Sequence, residues 1–225
     1  TRYKVGDTEK EGLSSPIVGR MTEDKDGNLW ICTEGGGVNV YNRKNNTYRW
    51  YRHEEGKNSI SHNNVKAIYY DRTEEIMWIG THLGGLNKLD LHTNRFTVYR
   101  MKAGDPATLP SDIVRDIVPY GDKLIIATQN GVCLFNPATG TCEHLFKDTK
   151  EGRNIGMVAS LYIDKDETLW VSATGEGVYS YRFDTGKLTH YAHNPSIPNT
   201  LSNNNVNNIM QDSNGNLWFS TSGSG

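Results

Sequence analysis

Polar side chains able to bind a ligand recur at two kinds of position in this sequence. One set follows a repeated tryptophan-centred segment and differs from copy to copy: Glu34, His82, Gln129, Asn130 and Glu176. The other set stands two residues before a repeated valine and hardly varies: Asn63, Asp112 and Asn204. Carboxylate, amide and imidazole groups suit sugar hydroxyls, which both donate and accept hydrogen bonds. The chemistry predicted for these positions is therefore recognition of a polyhydroxylated ligand.

Each set also has a second interpretation. A residue type that recurs at one repeat position could instead cap backbone N–H groups at the entry of a strand. The variable residues, of which Glu34, His82 and Glu176 are the clearest, could be solvated loop residues that contact nothing. The sequence leaves both interpretations open.

Catalytic and metal-binding patterns are weak. Asp24, Asp26 and Asn28 resemble the start of a calcium loop, as do the equivalent residues from Asp212, but the glycine comes too early and the twelfth position lacks a glutamate. An ordinary hairpin turn is the better interpretation. The histidines form no helical zinc pair, and a G-x-S-x-G elbow is absent from the sequence. We predict no catalytic residue, metal or cofactor; the only acid and base set that a lyase could use is His82 with Glu34 or Glu176.

The elements that would position these residues come from one repeated segment. Four tryptophans lie in NLWICT, IMWIGT, TLWVSA and NLWFST, and KLIIAT is a degenerate copy with Ile125 in the tryptophan position. These positions follow one another at intervals of 45 to 48 residues. Strand-rich repeats of about 40 to 50 residues are typical of propeller blades rather than helical solenoids.

Each repeat predicts four antiparallel strands. An apolar triplet that ends in an acid, such as Val18, Met21 and Asp24, forms strand a, and a tight turn leads to the tryptophan strand b. A glycine-rich loop precedes strand c, and a later aromatic residue closes strand d: Tyr51, Tyr99, Phe146 and Tyr191. The first five residues, TRYKV, align with a further strand d. Because strands alternate in direction, the b to c and d to a loops lie on one face. We expect an all-β fold with repeat units 17–64, 65–112, 113–156, 157–205 and a partial unit 206–225.

Charge and cysteine content exclude several classes of protein. A formal net charge of −2 gives no electrostatic footprint for nucleic acid. No segment of the sequence approaches the apolar length of a transmembrane helix, and we do not expect the first residues, TRYKVGDTEK, to be a signal peptide. Three cysteines cannot form a complete disulfide framework. Cys32 is interpreted as a small core residue in a tryptophan strand. Cys133 and Cys142 flank the strand c to d turn and lie either opposite one another or, after a one-residue shift, on opposite faces.

The repeats carry a family resemblance. The segments NSISHNNVKAIYYDRTEEIMWIGTHLGGLNKLD and NTLSNNNVNNIMQDSNGNLWFSTSGSG resemble the two-component regulator propeller repeat, L-S-x-N-x-V-x-x-I-x-x-D followed by L-W-I-G-T and G-G-L. The third unit departs from this pattern, with Ile125 for tryptophan and with Pro119 and Tyr120 where the acid is lost. The resemblance implies a seven-bladed propeller in the periplasmic sensor of a hybrid histidine kinase that detects oligosaccharides.

The function expected from the resemblance is ligand sensing without catalysis by this chain. It implies an oligosaccharide ligand, neighbouring propeller and immunoglobulin-like domains, a homodimeric receptor, and a periplasmic location as part of an inner-membrane protein whose kinase lies elsewhere. Because about four complete blades are present, we expect a fragment of a larger propeller, either an open arc or a ring completed by another chain. The alternatives are a propeller lyase similar to streptogramin lyase and a scaffold for protein contacts.

Overall fold

The computed structural model describes residues 3–9, 11–146 and 155–223. All regular secondary structure within these residues is β-strand. The first sheet contains β1 (Val18–Glu23), β2 (Leu29–Thr33), β3 (Val38–Asn42) and β4 (Thr47–Tyr51). The second contains β5 (Val65–Asp71), β6 (Ile76–Thr81), β7 (Leu86–Asp90) and β8 (Arg95–Tyr99). The third contains β9 (Val114–Tyr120), β10 (Lys123–Thr128), β11 (Gly131–Asn136) and β12 (Thr141–Leu145).

The remaining strands form a fourth and a fifth sheet. The fourth contains β13 (Val158–Ile163), β14 (Thr168–Ala173), β15 (Gly177–Arg182) and β16 (Lys187–Tyr191). The fifth contains β17 (Val206–Gln211) and β18 (Leu217–Thr221). In every sheet, hydrogen-bonded neighbours are consecutive in the chain. The predicted all-β fold of four-stranded antiparallel sheets is confirmed.

The chain divides into two compact units, Thr1–Ile117 and Val118–Gly225, with the boundary inside β9. In the N-terminal unit the first two sheets share a core that includes Trp30, Val38, Val65, Ile79 and Leu89. In the C-terminal unit a second core surrounds Ile125, Leu169 and Val171. In the four-stranded sheets the strands b and c lie in the middle, and the b strands β6 and β10 are buried at every position but the first, which is why their segments are nearly continuous runs of apolar residues.

Burial of the repeated ring differs from sheet to sheet. Trp78 is 1% exposed and Trp30 is 3% exposed. Trp218 in β18 is 59% exposed although it occupies the same repeat position. Position in the repeat therefore does not by itself determine burial.

Two details of the strands differ from the sequence interpretation. Tyr3 to Val5, expected to belong to a strand d, form no strand, and Val5 makes an isolated parallel bridge with Leu13; Thr1 and Arg2 lie outside the described residues. Strand β12 ends at Leu145, one residue before the predicted Phe146, which takes a positive φ of 63° and cannot continue the extended strand.

The three cysteines are all free and buried. In the ladder between β11 and β12, Cys133 is opposite His144 and Cys142 is opposite Phe135. Since Cys142 is two residues from His144, it lies on the same face as Cys133, so the interpretation that placed them on opposite faces is wrong. The interpretation that placed them directly opposite one another is wrong as well, because the register makes them diagonal neighbours. The two Sγ atoms are 3.2 Å apart. No helix in the described part of the chain has the length and apolar character needed to cross a membrane.

Candidate ligand-binding loops

The b to c and d to a loops are joined by repeated backbone hydrogen bonds. Gly37 N–H donates to the carbonyl of Asn63 over 2.8 Å, and Gly85 N–H donates to Asp112 over 2.8 Å. In the C-terminal unit Gly177 N–H donates to Asn204 over 3.0 Å. The two loop types therefore lie on the same edge of each sheet, as the alternation of strands predicts.

The side chains of the three recurring residues also bind backbone. The Asn63 Oδ1 atom accepts from the N–H of His53 at 2.7 Å, and Asp112 Oδ1 accepts from Met101 N–H at 2.7 Å. Asn204 Oδ1 accepts from His193 N–H at 2.6 Å. Each residue thus holds the start of its d to a loop through the side chain and the b to c loop through the carbonyl. This geometry accounts for their recurrence without a ligand.

Glycine is required where the b to c loop enters strand c. Gly85 has a φ of +76°, and a Cβ atom placed there would lie 2.2 Å from the carbonyl oxygen of Tyr99. Gly37 has the same φ, and its Cβ would lie 2.1 Å from the Tyr51 oxygen. Backbone oxygens held in a sheet cannot move away, so these glycines place the loops close to strand d.

Variable residues meet in the N-terminal unit, in a group that we call the rim cluster: Glu34, His62, Lys66 and His82. Lys66 on β5 forms an ion pair with Glu34. The rings of His62 and His82 are 6.5 Å apart. The Lys66 ammonium, with a smaller contribution from His82, lowers the pKa of Glu34. Burial, followed by His82, lowers the pKa of His62, and its Nδ1 accepts the N–H of Asn64 at 3.0 Å. The rim cluster thus presents a carboxylate, an ammonium group and two imidazoles on one edge.

The predicted residues of the C-terminal unit have mostly structural contacts. The carboxylate of Glu176 accepts the Tyr179 hydroxyl at 2.8 Å, and its carbonyl accepts from His190 Nε2 at 2.7 Å. Asn130 is exposed and its N–H donates to the Thr128 hydroxyl at 3.2 Å. Gln129 is half-buried beside it. Glu176 is therefore held in a fixed position, whereas Asn130 presents its amide to solvent.

Leu83 was not singled out from the sequence. It is 56% exposed and takes a positive φ of 74°. Glycines occupy the equivalent loop positions, Gly35 at +79° and Gly175 at +79°. Left-handed backbone is unfavourable for a residue with a branched side chain. Alignment of HLGG with EGGG would have revealed this substitution, and it places an exposed apolar side chain beside His82.

An ion pair also joins strands a of two different sheets in the N-terminal unit. Arg20 Nη2 on β1 contacts Asp116 Oδ2 on β9 at 2.7 Å, and the Asp116 side chain is 3% exposed. The residue at the same repeat position on β5 is Ala67, which is fully buried. Neither charge recurs between repeats, so no pattern in the sequence pointed to this pair.

An apolar cleft of about 520 Å³ lies on the outer face of β1, apart from the predicted site residues. Its lining includes Leu13, Val18, Met21, Ile31 and Tyr41. Val18 and Met21 are 45% and 52% exposed, whereas the equivalent Val65 and Ile68 of β5 are 1% and 9% exposed. The contrast arises because the first sheet covers β5 in the shared core.

Comparison with known proteins agrees with the repeat pattern. The family model described as the two component regulator propeller matches residues 12–35 and 200–223. A solved structure from B. thetaiotaomicron, described as the extracellular domain of a hybrid two component system, superposes with a TM-score of 0.81 at 26% identity. That match covers 98% of this chain and 30% of the other. The resemblance predicted from the repeated residues is confirmed.

Two further relatives place the match in context. The extracellular domain of a one component system from B. thetaiotaomicron has a TM-score of 0.76 at 20% identity over 98% of this chain and 28% of its own, which supports the fold alone. A Formosa agariphila protein named histidine kinase P4 is 29% identical over 212 residues, which is 93% of this chain and 12% of that protein. This chain thus spans a small part of each relative.

Proposed function

We propose that this chain is part of a ligand-sensing, extracytoplasmic propeller domain of a hybrid two-component sensor kinase that responds to oligosaccharides. The observation that carries the proposal is the match over 98% of the chain to an extracellular domain of a hybrid two component system. The kinase of the parent protein lies outside the sequence described. The parent is a periplasmic-facing receptor in the inner membrane, with further propeller and immunoglobulin-like domains and a homodimeric assembly.

The rim cluster supports an oligosaccharide as the ligand. Glu34 accepts hydrogen bonds and Lys66 donates them, and the His62 ring, whose Nδ1 already accepts the N–H of Asn64, can donate through Nε2; together they match the mixed donor and acceptor character of sugar hydroxyls. Exposed Leu83 beside His82 adds an apolar surface of the kind that the C–H face of a sugar ring can cover. Because Glu34 and Lys66 already hold each other in an ion pair, their side chains need little change of conformation when a neutral hydroxyl binds.

The same groups argue against catalysis. A propeller lyase needs a base positioned for proton abstraction, and the Glu34 carboxylate is instead paired with Lys66. The Glu176 carboxylate accepts the Tyr179 hydroxyl. We therefore assign recognition without turnover to this chain.

Calorimetric titration with a panel of bacterial, algal and plant oligosaccharides tests the proposal. One member of the panel should bind, and His82→Ala should weaken that binding about 5- to 100-fold, as expected for the loss of one or two buried hydrogen bonds. His92→Ala is the matched control, because His92 is exposed in the c to d turn on the opposite edge of the same sheet. It should leave the affinity unchanged.

Three results would redirect the assignment. Equal loss of affinity in both histidine variants would remove the rim cluster as the site. Chemical degradation of a bound ligand would favour the lyase. A chain that binds no glycan but binds another protein domain through this edge would favour a scaffold.

A further inference from the structure

We propose that Cys133 and Cys142 form a disulfide when the chain folds in the presence of a small-molecule disulfide oxidant, so that β11 and β12 are covalently linked in the third sheet. The proposal is independent of any ligand, since it concerns a cross-link inside one sheet of the C-terminal unit. Cys32, the third cysteine, lies in the N-terminal unit and takes no part.

The geometry of the ladder brings the two sulfur atoms together. The Sγ atoms are 3.2 Å apart, with the Cys133 thiol donating to the Cys142 sulfur. His144 is the residue directly opposite Cys133, and Cys142 is two residues from His144 along β12. The two cysteines are therefore diagonal neighbours on one face of the sheet. The right-handed twist of paired strands shortens one of the two diagonals, and side chains on that diagonal meet. Closing the bond from this distance needs a small movement of two unbranched side chains.

The site offers no competing use for the thiols. Cys133 is fully buried and Cys142 is 8% exposed. Within the described residues no group of three or more histidine, cysteine or acidic side chains could hold a metal ion. Two adjacent buried thiols without a metal are the arrangement in which a structural cross-link forms in an oxidising compartment.

The reaction is a thiol–disulfide exchange. One cysteine thiolate attacks the oxidant R–S–S–R, forms a mixed disulfide and releases R–S⁻; the second thiolate then attacks the protein sulfur of that mixed disulfide and releases the second R–S⁻. The two cysteines lose two protons and two electrons, and the oxidant becomes two R–SH molecules.

The folded environment dictates when this exchange occurs. Burial, and the hydrogen bond that it donates to Cys142, raise the pKa of the Cys133 thiol well above its ordinary range. Since the thiolate is the reactive form, exchange in the folded protein is slow. The bond should therefore form during folding, while the hairpin of β11 and β12 is still accessible.

Refolding from denaturant in mixed reduced and oxidised glutathione tests the proposal, followed by acid trapping, alkylation in denaturant and tryptic mass analysis. Both cysteines lie on the single tryptic peptide 124–147, and Cys32 lies on peptide 26–43. We expect peptide 124–147 to be two hydrogen atoms lighter and unalkylated, with Cys32 fully alkylated. Protein refolded in excess reductant instead of oxidant should have a thermal midpoint about 5 to 10 °C below that of the oxidised protein.

Two variants complete the test. Cys32→Ser should keep the cross-link and the difference in midpoint between the two refolding conditions, whereas Cys133→Ser should lose both. If Cys133→Ser does not fold, the peptide masses of Cys32→Ser still decide the question. Alkylation of both Cys133 and Cys142 after refolding with the oxidant, or equal midpoints after refolding with oxidant and with reductant, would overturn the proposal.

Discussion

The indole Nε1 of Trp30 donates a hydrogen bond to the Asp24 carboxylate over 2.8 Å. The same carboxylate accepts the N–H of Asp26 at 3.0 Å and of Asn28 at 2.9 Å. Two other repeats contain the same contact, Trp170 with Asp164 at 2.7 Å and Trp218 with Asp212 at 3.0 Å. The acid at the end of strand a therefore organises the a to b turn and fixes the orientation of the repeated ring.

Replacing this acid should destabilise the N-terminal unit. Asp24 and Trp30 are both buried, so Asp24→Ala leaves the indole N–H and turn N–H groups without their acceptor. We expect a loss of about 2 to 3 kcal/mol in the free energy of unfolding, measured by denaturant titration. Asp26→Ala, at an exposed position of the same turn, is the control and should change it by less than about 0.5 kcal/mol. Equal effects would mean that the turn, not the indole contact, determines stability.

Acid should weaken the same contact in the fifth sheet. Hydrogen bonds from Trp218 first, and then from Asn216, lower the pKa of Asp212 from 3.8 to about 2. Because the folded pKa is below the unfolded one, the carboxylate stabilises the fold above pH 4, and this contribution is lost as the pH falls towards 2. Denaturant midpoints between pH 6 and 2 should show this loss, and Asp212→Asn should reduce the pH dependence. An unchanged profile in the variant would contradict the assignment.

The two extremes of tryptophan burial predict different mutational costs. Trp78→Ala should lower the free energy of unfolding by about 3 to 5 kcal/mol, because the whole ring leaves a cavity in a packed core. Trp218→Ala should cost about 1 kcal/mol, since most of that ring is already in water and mainly its bond to Asp212 is lost. Chemical denaturation of both variants measures the difference. Similar costs would show that ring burial is not the source of stability.

Leu83 predicts a gain in stability on substitution. Leu83→Gly should remove about 1 to 2 kcal/mol of left-handed backbone strain, while the greater entropy of the unfolded chain should cost about 0.5 to 1 kcal/mol. The net gain is then up to about 1.5 kcal/mol. Leu83→Ala keeps the strain and should give no gain. The reciprocal Gly35→Ala change, at a position with no atom within 4 Å of the new Cβ, should cost about 1 kcal/mol. Thermal melting of the three variants checks the order, and a Leu83→Gly protein less stable than Leu83→Ala would contradict it.

The repeated positions made the fold predictable from the sequence. Val65, Ile68 and Trp78 recur at fixed spacing, and hydrophobic spacing of this kind reports which strand residues face the core. The ion pair of Arg20 with Asp116 could not be predicted, since its partners are 96 positions apart and neither recurs. Exposure of Trp218 could not be predicted either, because burial depends on what packs against a sheet and not on the local sequence.

The candidate site was predictable only in part. Strand alternation was enough to predict that the b to c and d to a loops lie on one edge, and the loops that contain Glu34 and His82 do meet there. The partner of each side chain could not be predicted, because Glu34 and Lys66 lie in different repeats and the residue type at the position of Lys66 does not recur: the other copies have Gly19, Arg115, Ala159 and Asn207. Leu83 shows the value of comparing loop copies, since a leucine among glycines marks a backbone conformation that the chain adopts at a cost.

Consecutive pairing in every sheet also has a kinetic consequence. Each strand pairs with the next strand in the chain across a short turn, so the entropy lost on closing the loop is small at each pairing step. All-β proteins usually fold slowly because their strands pair at long range, and that reason does not apply within these sheets. Hairpins of this chain can form independently and then add to neighbours already folded, as in other repeat proteins. Folding of this chain should begin at several places along its length and proceed faster than in a β-sandwich of equal size.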